Sequence, residues 1–237
     1  MLKRDDLYIL LLLIPLALSG LYGDSAALLK QANIAHPLLS SFIKFALLAT
    51  LGEIIGQRIS SGNYNLKNFG ILPKAIAWGV FGIFVKFSFT IFASGVPTAL
   101  YLLNIQDAKA ILTGPLSVDK LAVAFSISLA INLIFGSWLM ILHKITDEHI
   151  KQHGGQLISL IKPINFGYIL TTMDWNKQWS FVLKKTIPLF WIPAHTLTFL
   201  LPEQYRILFA AFLGVILGII LAFANTSHQH ANRPLTP

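Results

Sequence analysis

Apolar positions in this chain gather into six long blocks separated by short polar stretches. They are Leu7 to Gly23, Leu38 to Gln57, Lys74 to about Leu103, Leu121 to His143, Thr186 to Leu201 and Ile207 to Ala224. A run of roughly 17–25 apolar residues is what a helix needs to cross a bilayer. The pattern predicts an all-α, polytopic integral membrane helical bundle with about six hydrophobic segments. The third segment is expected to break near Gly95-Val96-Pro97. The fifth is short and should kink, because Pro188 and Pro193 each remove a backbone donor and crowd the preceding turn.

Residues 1–35 read as an extra N-terminal transmembrane helix with its linker, 36–225 as the bundle, and 226–237 as a polar, disordered tail. The first segment follows a Lys3-Arg4 head and could instead be a signal peptide, with Ser25-Ala26-Ala27 as a poor cleavage site. Asp5 and Asp6 are unusual in such a head.

Composition agrees with a membrane protein. The chain is 55% hydrophobic and 12% charged, where soluble domains carry about a quarter charged residues. The net charge is +8. The cations sit mostly in loops, which points to the bilayer and its anionic lipid head groups as partners rather than nucleic acid. There are no cysteines, which excludes disulfides and thiolate chemistry. With six spans and an inner N-terminus, twelve Lys and Arg positions fall inside and four outside, Lys44 and Lys86 lying within spans. Half of the inner group comes from the long loop between Lys144 and Lys185. This bias places both termini on the cytoplasmic or matrix-like side of a bacterial cell membrane or an organellar inner membrane.

Ionisable groups at membrane depth cost at least ~2.5 kcal/mol each and mark candidate sites. Glu53 shares a helix face with Ala49, Gly52 and Gly56, a small-residue face suited to close helix packing. Lys86 lies mid-segment on a face with Gly79, Gly82, Thr90 and Ala93. It could line a hydrated path, bind an anion, or close the bundle through an ion pair with Glu53. Lys44 sits near a helix start, roughly opposite Glu53, and could snorkel. In the fourth segment Ala124, Ser128, Asn132 and Gly136 recur every four residues, as a close-packing stripe or a pore lining. The pore-lining or buried polar candidates are Glu53, Gln57, Lys86, Thr90, Asn132, Trp191, Pro193, His195 and Arg206. His149 and His153, spaced i,i+4 beside Asp147 and Glu148, suit a metal, although a polar loop explains them as well. Leu157, Ile158, Leu160, Ile161, Ile164 and Phe166 could form a segment lying on the membrane.

Ala35-His36-Pro37 followed by Gly52-Glu53-Ile54-Ile55-Gly56-Gln57 resembles the opening of the MPV/PMP family of organellar membrane proteins. In that family a first span begins after a proline and ends in Gly-Asp-x-x-x-Gln. The family's Gly-Pro-x-x-His-x-Trp-Tyr can be laid on Gly82 to Phe89, keeping only the glycine and putting Lys86 in place of the histidine. Trp191, Pro193, Thr198-Phe199 and Pro202 to Arg206 resemble its C-terminal signature, with one residue inserted between Trp191 and Pro193 and threonine for asparagine. The later Trp-Asn pair is replaced by Leu217-Gly218. The resemblance runs over roughly His36 to Phe223 and implies a divergent member acting as a channel or in membrane homeostasis.

The expected function is a channel or transport pore for small solutes or ions. The alternative is a non-transporting structural or lipid-interacting protein. No enzyme, catalytic residue, metal or cofactor is expected, and a homo-oligomer is compatible with the sequence.

Overall fold

A computed structural model describes residues 23–64 and 66–231. Among them every regular element is helical and no strand occurs. The first predicted segment lies almost wholly outside these residues. α1 (Gly23–Ala35) leads at His36 into α2 (Pro37–Ser61), which Pro37 opens from its first position. α2 ends at Gly62, where φ is +73° and the backbone N–H bonds the Arg58 carbonyl. α3 (Ile71–Tyr101) follows, then the short α4 (Ala108–Thr113). α5 (Val118–Ile131) starts at Ser117, whose hydroxyl accepts the Lys120 N–H at 3.1 Å.

A π-wound turn over Asn132–Gly136 joins α5 to α6 (Ser137–Gln152) without interruption. The expected long inner loop is largely helical. It holds a 3₁₀ turn (Leu157–Leu160), α7 (Phe166–Thr172) and α8 (Trp175–Lys177). A π-wound segment (Gln178–Trp191) then runs into α9 (Ile192–Leu200), and α10 (Glu203–Ala231) closes the described chain.

Among the described residues four stretches are long and apolar enough to cross a bilayer: Pro37–Ser61, Ile71–Tyr101, Val118–Gln152 and Glu203–Ile220. The protein is therefore an all-helical chain whose apolar helices suit embedding in a membrane. The fifth predicted segment begins eight residues earlier than expected, at Gln178, and its winding changes from π to α between Pro188 and Pro193.

Two expectations are corrected. α3 does not break at Gly95-Val96-Pro97 but continues through Pro97 to Tyr101. Ser94 and Thr98 hydroxyls bond carbonyls of Thr90 and Ser94 on the same helix, and the carbonyl that Pro97 leaves without its backbone donor is that of Ala93. At the C-terminus α10 runs to Ala231, so residues 226–231 extend a helix rather than belonging to a disordered tail.

Small residues set the packing. Ser41 Oγ donates to the Gly82 carbonyl at 2.6 Å, and a Cβ on Gly82 would come within 2.7 Å of Ser41 O. α2 and α3 thus run antiparallel in close contact. On another side of α2, Gly52 faces Val215 and Gly56 faces Gly218, so α10 runs parallel to α2. Phe45, Phe81, Val85, Ile127, Phe199 and Ala211 form part of the shared core. Large apolar residues such as Phe84, Ile91, Leu133 and Phe212 point outward, as a lipid-facing surface requires. The turn after α6 grips the α2–α3 loop through Gly155 (φ +71°), where a Cβ would lie 2.6 Å from Gly70 N.

Candidate functional site

α2, α3 and α6 bring a charged cluster together at one end of the bundle. Lys74 lies in the first turns of α3 and is only 6% exposed. Its ammonium lies 2.6 Å from Glu53 Oε2 on α2 and also donates to Asp147 Oδ1 on α6. Asp147 is further paired with Lys151, one turn on, at 2.8 Å. Trp78 Nε1 donates to Glu53 Oε1 at 2.7 Å, and His143 Nε2 lies 3.5 Å from the same oxygen. Trp78 and His143 rings are 4.4 Å apart. The helical spacing explains the convergence. Lys74 and Trp78 share a face of α3, and His143 and Asp147 share a face of α6.

Above this cluster lies a cavity of about 280 Å³, close to the lower end of small-molecule sites at roughly 300 Å³. Its walls are mostly apolar, with Phe45, Val85, Phe89, Ile131, Leu139 and Ala211 among them. Polar groups enter at separate points. Glu53 and His143 line the charged end, and Gln178 lines it from the π-wound segment. Asn132, Trp191 and His195 form a second polar group. His195 Nδ1 lies 3.1 Å from Asn132 Oδ1, and the imidazole stacks on Trp191 at 5.1 Å. The π-wound turn at Asn132 breaks the α register where this buried residue, 2% exposed, meets α9. Asn132 Nδ2 is held by the Ser128 carbonyl at 2.8 Å, and Ser128 Oγ donates to the Ile192 carbonyl at 2.6 Å. The stripe Ala124, Ser128, Asn132 thus serves close packing in part, while Asn132 also reaches the cavity.

Two buried donors beside the cavity, Gln178 Nε2 and Trp191 Nε1, have no hydrogen-bond partner. A buried donor without an acceptor is costly, and both nitrogens are turned into the protein, out of reach from the cavity, although their residues line it.

The predicted site residues do not all converge. Glu53, Asn132, Trp191 and His195 line the cavity. Gln57 lies one turn beyond Glu53, half-buried and outside the lining. Pro193 and Thr90 are exposed, and Thr90 Oγ1 bonds the Lys86 carbonyl of its own helix. Arg206 secures the α9–α10 turn, donating from Nε to the Leu201 carbonyl at 3.0 Å and from Nη2 to the Phe199 carbonyl at 3.2 Å. Glu53 and Lys86 do not meet. Glu53 pairs with Lys74, and Lys86 faces Glu203 at 3.6 Å. Twelve residues of helix separate Lys74 from Lys86, about 18 Å along α3.

Comparison with family models, with curated proteins and with solved structures finds no match.

The sequence reading did not single out Lys74, Trp78 or Gln178. The signal for the first two was present, since Lys74 and Trp78 sit four apart facing a segment that carries His143 and Asp147 four apart. The histidine pair of α6 has other work. His149 Nε2 lies 2.9 Å from the Ser159 carbonyl, and His153 Nδ1 lies 2.9 Å from the His149 carbonyl. Among the described residues no group of three or more metal-ligating side chains converges.

Proposed function

We propose that this protein is a transport protein that passes small, mostly uncharged solutes through its central cavity, as a divergent relative of the MPV/PMP family. The observation that carries this reading is a small-molecule-sized, mostly apolar cavity inside a bundle of span-length helices. The charges at its lower end are matched among themselves: Glu53 and Asp147 against Lys74 and Lys151, and Lys144, which lines the cavity, against Glu148. Paired charges give an ion little to gain there, and the mostly apolar walls suit a neutral solute. The residues that carry the family resemblance, Gly52 to Gln57 and Trp191 to Arg206, come from elements that pack on one another around the cavity or close its turn.

Reconstituted liposomes test this by stopped-flow light scattering with glycerol and urea as permeants. The expected result is faster solute entry than in protein-free liposomes. Met140→Trp enlarges a lining side chain, fills part of the cavity and should slow entry several-fold. Entry no faster than in protein-free liposomes, with the protein inserted and folded, would leave the structural, lipid-interacting reading instead. That reading is supported by the exposed apolar and aromatic side chains Leu157, Ile161, Trp175 and Trp179, beside Lys162 and Lys184.

A further inference from the structure

A second cavity, of about 330 Å³, shares no lining residue with the first. It lies where α2 and α10 begin, against the middle of α3 and the end of α1. Lys44 and Lys86 both line it. Lys44 Nζ donates to Asn33 Oδ1, a neutral acceptor. Lys86 Nζ lies 3.6 Å from Glu203 Oε1, but that carboxylate is 78% exposed against 23% for the lysine. Glu203 is the one carboxylate among the described lining residues. The cavity therefore holds two ammonium groups against one solvent-facing carboxylate, which pairs with Lys86. Both lysines stand within helices of span length, where an uncompensated cation is costly.

Three features narrow the chemistry of what would complete the balance. The ammonium groups are point donors that suit an anion with several oxygens. Gln204 adds an amide, and the cavity lies at the first turn of α10, the positive end of a long helix. Ile34, Pro37 and Ile207 supply apolar wall beside the charges. We infer that this cavity binds a phosphate-type oxyanion between Lys44 and Lys86, in competition with the Glu203 carboxylate. The site does not depend on whether the central cavity conducts. The same phosphate chemistry could reach it on a phospholipid head group or as a free ion.

The test uses the full chain in neutral detergent, with the thermal midpoint and native mass spectrometry as readouts. The probes are phosphatidylglycerol, phosphatidylcholine and inorganic phosphate. Phosphatidylglycerol is expected to bind and raise the midpoint while phosphatidylcholine does not. Lys44→Gln and Lys86→Gln should each weaken binding about tenfold, and Glu203→Gln should tighten it several-fold by removing the competitor. The same pattern with inorganic phosphate would support the site with a soluble ligand. If the lysine variants do not fold, Glu203→Gln decides alone, since it changes an exposed side chain. Binding of either anion that is indifferent to these substitutions, or no anion binding at all, would overturn the inference.

Discussion

Lys74→Met is expected to destabilise the protein by about 3–5 kcal/mol, the usual cost of removing one partner from a buried ion pair. The lysine is almost fully buried, and its ammonium answers Glu53 and Asp147 together. Methionine fills similar space but leaves both carboxylates facing each other in a low-dielectric interior. Trp78 and His143 would still touch Glu53, and Lys151 would still hold Asp147, so the cluster loses its centre but keeps its rim. The thermal midpoint of the purified protein in detergent measures the loss. Adding Glu53→Gln and Asp147→Asn to Lys74→Met should recover a large part of it, because neutral amides cost less to leave without a cation. A single variant as stable as the wild type would show that the three groups do not share a buried site.

Gly218→Ala is expected to cost roughly 1–3 kcal/mol, the range for forcing extra volume into a filled interface. The added Cβ would stand 2.6 Å from the Gly52 carbonyl oxygen and 3.0 Å from its carbon. Those are backbone atoms of α2 and can yield only if the helices separate. The reciprocal Gly52→Ala puts its Cβ 2.8 Å from Val215 Cα, so it should fail similarly. In lipid, helices associate by such close packing rather than by a hydrophobic difference, so the loss falls on the main source of cohesion. Gly95→Ala is the matched control. Nothing lies within 4 Å of its added Cβ, and a helical glycine replaced by alanine should gain about 0.5–1 kcal/mol. The thermal midpoints of the three variants should order with Gly95→Ala highest.

Much of this was legible because long helices write themselves plainly in apolar runs. The small-residue face of Glu53 was readable because Gly52 and Gly56 repeat at one helical turn. Other features depended on information that a single helix does not carry. Glu53 could be matched to any cation in the next segment, and only the antiparallel register of α2 on α3 selects Lys74 over Lys86. Proline positions marked Pro97 as a break, yet α3 runs on through it to Tyr101. The prolines of the fifth segment gave no hint of π winding, which leaves Gln178 and Trp191 beside one cavity. After Gln152 the apolar positions from Leu157 to Phe166 suggested a segment lying on the membrane, but the individual helices there are too short for hydrophobic periodicity to show. Arg206 stood out as a charge at the head of a span, but its two carbonyl acceptors belong to the turn before it and cannot be seen in a pattern.

The proposed transport depends on a cavity inside the apolar bundle that small solutes can enter. The chain has no cysteine, so single cysteines can be placed without a background. Met140→Cys and Leu217→Cys would stand in the cavity lining, and Phe84→Cys and Leu133→Cys on the outward, lipid-facing surface. With the protein in liposomes, a small water-soluble methanethiosulfonate should modify the first pair and spare the second. Modification of the outward pair with the cavity pair untouched would contradict the account.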